Sequence, residues 1–241
     1  MYNLDLVKKT LETSGKYWIA FVGDSITSTE WVHPNWREIV EYVLKEELQP
    51  KFESWKTASW GIRGINHGYD GSTTKDIWEK MDTILNSQPD LLIGLMGGND
   101  RLFGIKPEET KKYVENIISK AKETGTRVAW CNSIPAHYQV DKNQEYESYA
   151  KATMEIKSTP EVFLIDMFNK YQQFDLDRFF TFKSEANPEE GIKEGEKDYW
   201  HPNQLGNAYI AKIILEEVFG ISFDPEKYIQ KTLAGEKYPS Y

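Results

Sequence analysis

Trp18-Ile19-Ala20-Phe21-Val22-Gly23-Asp24-Ser25 is the stretch that decides how this chain is read. Five apolar residues run without a polar break and stop at a glycine. A strand with one wet face alternates apolar and polar side chains, whereas an unbroken apolar run belongs to a strand covered on both faces. Leu91 to Leu95, Arg127 to Cys131 and Val162 to Ile165 repeat the pattern, and a further strand is expected around Phe52 to Ser59. Between these runs apolar residues return at helical spacing: Trp36, Ile39, Val40, Val43 and Leu44, then Ile77, Met81, Ile84 and Leu85. Pro107 opens another such stripe through Tyr113, Ile117, Ile118 and Ala121, and Leu205, Tyr209, Ile213, Ile214 and Val218 form the last. Residues 3–13 also look helical.

Strands alternating with helices predict an α/β fold with a mostly parallel, five-stranded sheet, doubly wound in the flavodoxin-like manner. One domain is expected over residues 1–241, with its core at about 17–219 and a C-terminal segment at 224–241. Residues 170–197, which include Ser184-Glu-Ala-Asn-Pro-Glu-Glu-Gly-Ile-Lys-Glu-Gly-Glu-Lys197, read as a polar surface excursion. In doubly wound sheets, sites form beyond the carboxyl ends of the strands. Ser25, Gly97 to Asp100 and residues 132–138 each follow a predicted strand and are expected on one edge.

Composition narrows the function. The chain has 241 residues, 39% of them apolar and 28% charged, which is ordinary for a globular protein. A net charge of −9 speaks against a nucleic-acid partner, which needs a basic face. No apolar run reaches the length of about 18 residues that a membrane span requires. The N-terminus lacks the basic-then-apolar order of a signal peptide, so a cytoplasmic location is expected; a leader removed beforehand would leave no trace. The lone Cys131 excludes an intrachain disulfide and reads as a buried small side chain. No His/Cys/Asp grouping has the spacing of a zinc site, and neither a metal nor a cofactor is expected.

Four short blocks carry chemistry: Gly23-Asp24-Ser25, Asn66-His-Gly68-Tyr-Asp-Gly71-Ser-Thr73, Gly97-Gly98-Asn99-Asp100 and Asp198-Tyr-Trp-His201-Pro202. Ser25 ends the first strand, where a turn exposes its hydroxyl. A serine needs a base to become nucleophilic, and His201 is the candidate because Asp198, three residues earlier, could hold one ring nitrogen. Gly71 and Asn99, with the backbone N–H of Ser25, are candidate oxyanion donors. Taken alone, Ser25, Gly71 and Asn99 read as turn residues, and Asp198 with His201 as a helix cap and a surface histidine. Asp166, at the end of a predicted strand, is a rival acid. Asp24 and Asp100 read as structural carboxylates that accept turn or helix-start N–H groups. Arg63, Arg101, Trp31, Trp60 and His137 are expected near the same edge and could hold a sugar or carboxylate. His33 and His67 lack a partner at useful spacing.

Together, and in this order, the blocks resemble the SGNH hydrolases, the GDSL-like lipase/esterase family, over about residues 17–219. The family signature is Gly-Asp-Ser, Asn-x-Gly-x-x-Gly-x-Thr, Gly-x-Asn-Asp and Asp-x-x-His-Pro. The resemblance implies a three-layer α/β/α sandwich, Ser25 as nucleophile, His201 as base, Asp198 as acid partner, and Gly71 and Asn99 in the oxyanion hole. Ile26 stands where many members have leucine. The expected activity is a serine esterase working through an acyl-enzyme, with a small-molecule or carbohydrate ester as substrate, a short-chain O-acetyl group being the specific expectation. The rival readings are a catalytically silent sugar-binding relative and a flavodoxin-like module that binds a phosphorylated cofactor; the second gives Asp198 and His201 no task.

Overall fold

The computed structural model describes residues 3–28, 32–136, 140–186 and 193–241. Five parallel strands form one sheet: β1 (Tyr17–Gly23), β2 (Ile62–Gly68), β3 (Leu91–Leu95), β4 (Arg127–Cys131) and β5 (Val162–Ile165), ordered β2-β1-β3-β4-β5. The order runs out from β1 in both directions, so β1 and β3 flank the point where the winding reverses.

Alternate residues of each central strand enter different cores. Ile19, Phe21, Leu91, Ile93, Leu95, Ala129 and Cys131 face one cluster, while Ala20, Val22, Leu92, Val128 and Trp130 face the other. Both faces are dry, which is why these strands read as unbroken apolar runs. The first cluster is covered by α1 (Leu4–Ser14), α2 (Trp36–Leu48), α8 (Met167–Tyr171), α9 (Gln204–Ile214) and α10 (Pro225–Leu233). The second is covered by α4 (Thr74–Leu85) and α6 (Pro107–Glu123), and α7 (Val140–Met154) packs beside α6. The result is a three-layer α/β/α sandwich, as expected. Caps fix where the helices around the sheet's carboxyl edge begin. Asn35 with Glu38 and Thr73 with Asp76 form capping boxes at α2 and α4, and the Asn203 side chain accepts the Gly206 N–H at α9.

Two expectations need correction. The second strand is not at 52–59. That stretch holds the start of α3 (Trp55–Gly61), capped by Ser54, with Trp55 left 55% exposed, and the strand follows as Ile62-Arg-Gly-Ile-Asn-His-Gly68. As an edge strand it pairs with β1 alone and is only partly buried, so its sequence carries no apolar run. The 170–197 region is not a purely surface excursion: Tyr171, Phe179 and Phe180 lie in the first core, and Lys183 bridges Lys197 in antiparallel fashion. Residues 187–192 lie outside the described residues. The 224–241 segment carries α10, and Tyr241 packs against Tyr42 while its hydroxyl donates to Glu47 at 2.9 Å.

Among the described residues no helix is long and apolar enough to cross a membrane.

Candidate active site

The carboxyl ends of β1, β3 and β4 open onto a cavity of about 380 Å³. Beyond β1, Asp24 makes a tight turn, its carboxylate accepting the Ile26 N–H at 3.0 Å, and Ser25 projects from that turn. The turn lies against the end of β2, where a β-carbon on Gly68 would come within 2.4 Å of the Ser28 backbone nitrogen, so only glycine allows this approach.

The hydroxyl of Ser25 is 2.8 Å from His201 Nε2, although 176 residues separate the two. His201 Nδ1 is 2.7 Å from Asp198 Oδ2. Residues 198–201 are not a helical turn. The other Asp198 oxygen accepts the N–H groups of Trp200 at 2.8 Å and His201 at 3.0 Å, which wraps the chain around the carboxylate. Pro202 precedes the helix that Asn203 caps, rather than occupying its first turn. Asp166, the rival acid, caps α8 and accepts from Asn132 and Asn169 instead.

Gly71 lies in the left-handed region, φ 71°, which favours glycine, and it lines the cavity. The Asn99 Nδ2 donates to the Ser72 carbonyl at 3.0 Å, which leaves its second amide hydrogen for a ligand. Asp100, buried, accepts the Thr74 N–H at 2.8 Å and the Thr74 and Thr110 hydroxyls. It thereby ties the start of α4, just past Gly71, to α5 (Gly98–Leu102), which carries Asn99. Among the described residues the N–H groups of Ser25 and Gly71 donate to no protein acceptor. The cavity thus holds a hydroxyl on a histidine, a carboxylate behind that histidine, and neutral donors near the hydroxyl.

Charge around the imidazole is consistent with this. Burial alone would lower the His201 pKa, but the hydrogen bond and charge of Asp198, with Asp24 and Asp70 behind, raise it above its ordinary 6.5. Burial pushes Asp198 up, yet the His201 contacts and the two N–H groups outweigh it and hold the carboxyl below 3.8. Asp24, fully enclosed, is pushed up to about 6 by desolvation, against the Ile26 N–H and His201.

Several residues with a part in the site escaped the sequence reading. Asn35 and Asn207, each 2% exposed, form a bridge behind it. The Asn35 amide donates to the carbonyls of Ile26 (3.0 Å) and Ser28 (3.1 Å), the Trp36 N–H donates to Asn207 Oδ1 (3.2 Å), and the Asn207 amide donates to the Pro202 carbonyl (2.9 Å). The turn bearing Ser25 is therefore joined to the turn bearing His201. Residues 178–182 support the latter from below: the Asp198 N–H donates to the Phe182 carbonyl at 2.9 Å, and the Asn203 N–H to that of Phe179 at 2.7 Å. The adjacent aromatics Phe179-Phe180 inside a polar stretch were the available signal. Leu102, Phe103, Ile134, Pro135, Tyr146 and Trp200 make the apolar wall of the cavity.

The other expected contact residues fare unevenly. Arg63 is a correction: it pairs with Trp18 near the amino end of β2, roughly 16 Å along the strand from Gly68 and so at the opposite edge of the sheet from this cavity. Trp60 precedes it in α3 and packs on Trp55. Arg101 stands behind the apolar wall, 5.0 Å over the Tyr146 ring and 2.9 Å from Glu145, and does not line the cavity. Trp31 and His137 lie outside the described residues. Among the described residues no grouping of His, Cys, Asp and Glu could hold a metal ion.

A model of the GDSL-like lipase/acylhydrolase family matches residues 21–209. No curated protein matches the sequence. The fold is similar to that of a lipase/acylhydrolase from Enterococcus faecalis, at 20% identity and TM-score 0.63, over 85% of this chain and 96% of that one. It is also similar to a catalytic mutant of an acetylxylan esterase from Geobacillus stearothermophilus, at 15% identity and TM-score 0.61, over 86% and 97% of the two chains. A third similar structure is an alpha/beta hydrolase from the metagenome of Lake Arreo, Spain, at 17% identity and TM-score 0.60, over 84% and 94%.

Proposed function

The chain belongs to the GDSL-like lipase/acylhydrolase family, and from that premise we propose that it is a serine esterase that works through an acyl-enzyme. The observation that carries this reading is the continuous hydrogen-bonded line Ser25–His201–Asp198, at 2.8 and 2.7 Å. In the proposed reaction His201 Nε2 takes the proton of Ser25 Oγ as the oxygen attacks the ester carbonyl. Asp198 keeps Nδ1 protonated and offsets the charge of the imidazolium. The tetrahedral oxyanion sits on the N–H groups of Ser25 and Gly71 and on the Asn99 amide. His201 then protonates the leaving alcohol, and the ester C–O bond breaks. A water, deprotonated by the same nitrogen, attacks the acyl-enzyme; the bond from the acyl carbon to Ser25 Oγ breaks as His201 returns the proton to Oγ, and the acid leaves.

For the substrate we propose a short-chain ester, an O-acetyl group on a carbohydrate. Phe103 and Trp200 line the same cavity as the hydroxyl and would give a sugar ring surfaces to stack on, and a similar fold carries an acetylxylan esterase. We further read residues 1–241 as one domain, since α1 and α10 pack on the same core as the elements that bear the site.

The test is hydrolysis of a p-nitrophenyl ester series together with acetate release from acetylated xylo-oligosaccharides. Wild type is expected to favour the shortest acyl chains and to release acetate, and Ser25→Ala to do neither. Preference for long chains with no acetate release would remove the substrate, and full activity in Ser25→Ala would remove the mechanism.

A further inference from the structure

We infer that the buried Asp100 is a positioning residue that aligns the two proposed oxyanion donors, Gly71 and Asn99, and that Thr110, outside the cavity, acts through it. The inference rests on the esterase reading and deepens it. Asn99 sits on α5, a helix of only five residues whose N-cap, Gly97, supplies no side-chain hydrogen bond. So short a helix is not stable by itself, and α5 takes its place from what grips it. The Asp100 carboxylate is that grip. Its Oδ1 accepts the Thr74 N–H at 2.8 Å, and its Oδ2 accepts the hydroxyls of both Thr74 and Thr110. Thr74 opens α4, and Thr110 is the fourth residue of α6. All three residues are buried. Three helices therefore meet on one carboxylate.

A second bond closes the frame. The Asn99 amide donates to the Ser72 carbonyl at 3.0 Å, between Gly71 and Thr74 in the chain. The segments 71–74 and 98–100 are thus joined twice, once by each neighbour of the pair Asn99-Asp100, and each segment carries one proposed donor. Thr110 is uncharged and does not line the cavity, so its route to the reaction runs through Asp100. An oxyanion donor is worth about 10²–10³-fold in kcat, and only when it is aimed at the developing charge. Loosening one leg of the frame should cost part of that factor while leaving substrate binding alone.

The experiment measures kcat and KM for p-nitrophenyl acetate, and Ki for phenylboronic acid, whose tetrahedral adduct with Ser25 would put a negative oxygen on the same donors. It uses wild type, Thr110→Val, Thr110→Ser, Asp100→Asn and Ser25→Ala. Thr110→Val replaces a hydroxyl by a methyl and keeps the Asp100 charge. It is expected to lower kcat about tenfold, to leave KM within about twofold, and to raise the boronate Ki about tenfold. Thr110→Ser, which keeps the hydroxyl, should recover most of the loss. A fold that is merely weakened would reduce the active fraction and leave Ki untouched. Asp100→Asn serves should Thr110→Val not fold. Removing an anion would by charge alone tighten the boronate, whereas lost alignment weakens it, so weaker binding is expected. An unchanged Ki in Thr110→Val, equal loss in Thr110→Val and Thr110→Ser, or tighter binding in Asp100→Asn overturns the inference. If wild type cleaves the ester and Ser25→Ala does not, those results sink the positioning role alone. If wild type cleaves no ester, the esterase reading falls and takes this inference with it.

Discussion

In the proposed mechanism His201 is where one residue's environment bears on both rate and stability. The neutral imidazole is the form that can accept the Ser25 proton, and its pKa lies above 6.5 because Asp198, Asp24 and Asp70 outweigh burial. Activity should therefore rise with pH through a value above 6.5, and Asp198→Asn should move that acidic limb to lower pH; a pH–kcat/KM profile checks both. The same variant is expected to lower kcat by about 10⁴-fold, since an asparagine selects the wrong imidazole tautomer. The stability consequence has a definite sign. The raised His201 pKa gives a contribution that is full below 6.5 and lost as pH climbs through the folded value. The lowered Asp198 pKa gives one that is full above 3.8 and lost as pH falls through its folded value. Denaturant unfolding of Asp198→Ala against wild type should thus show the greatest loss between those two values and a smaller one on either side.

At the scale of elements, the site depends on how α2 and α9 are tied together behind it. Asn35 and Asn207 satisfy buried backbone groups on the turns that carry Ser25 and His201. Asn207→Ala would leave the Trp36 N–H and the Pro202 carbonyl buried without that partner, at a cost of about 1–3 kcal/mol. It should lower kcat more than it changes KM, and Asn207→Asp, which keeps the acceptor for Trp36, should recover part of the loss. Equal loss in both variants, or a change in KM alone, would deny the bridge a positioning role. Legibility followed the same physics. The strands β1, β3 and β4 could be read because burial on both faces leaves an apolar run, and β5, although at an edge, because Val162-Phe-Leu-Ile165 is apolar throughout. The strand β2 could not, because an edge position tolerates Arg63, Asn66 and His67. Helix α7 was missed because its apolar residues form no clear stripe. Asp198 and His201 stood out because they lie three residues apart, and Ser25 because it directly follows an apolar strand. Asn35 and Asn207 did not, since an amide that binds backbone leaves no periodic mark.

For the molecule as a whole, the parallel sheet works as a ruler. Every strand points the same way, so the turns after β1, β3 and β4 reach one rim, and α9 returns from the far end of the chain to meet them. In the proposed mechanism this return makes Ser25 a nucleophile with His201 as its base. The most direct measurement is labelling with a neutral fluorophosphonate across pH, followed by peptide mapping, in wild type and His201→Ala. One adduct is expected, on Ser25, formed faster as pH rises through a value above 6.5 and nearly abolished in His201→Ala. An adduct on another residue, or labelling of Ser25 at an undiminished rate without the imidazole, would contradict it.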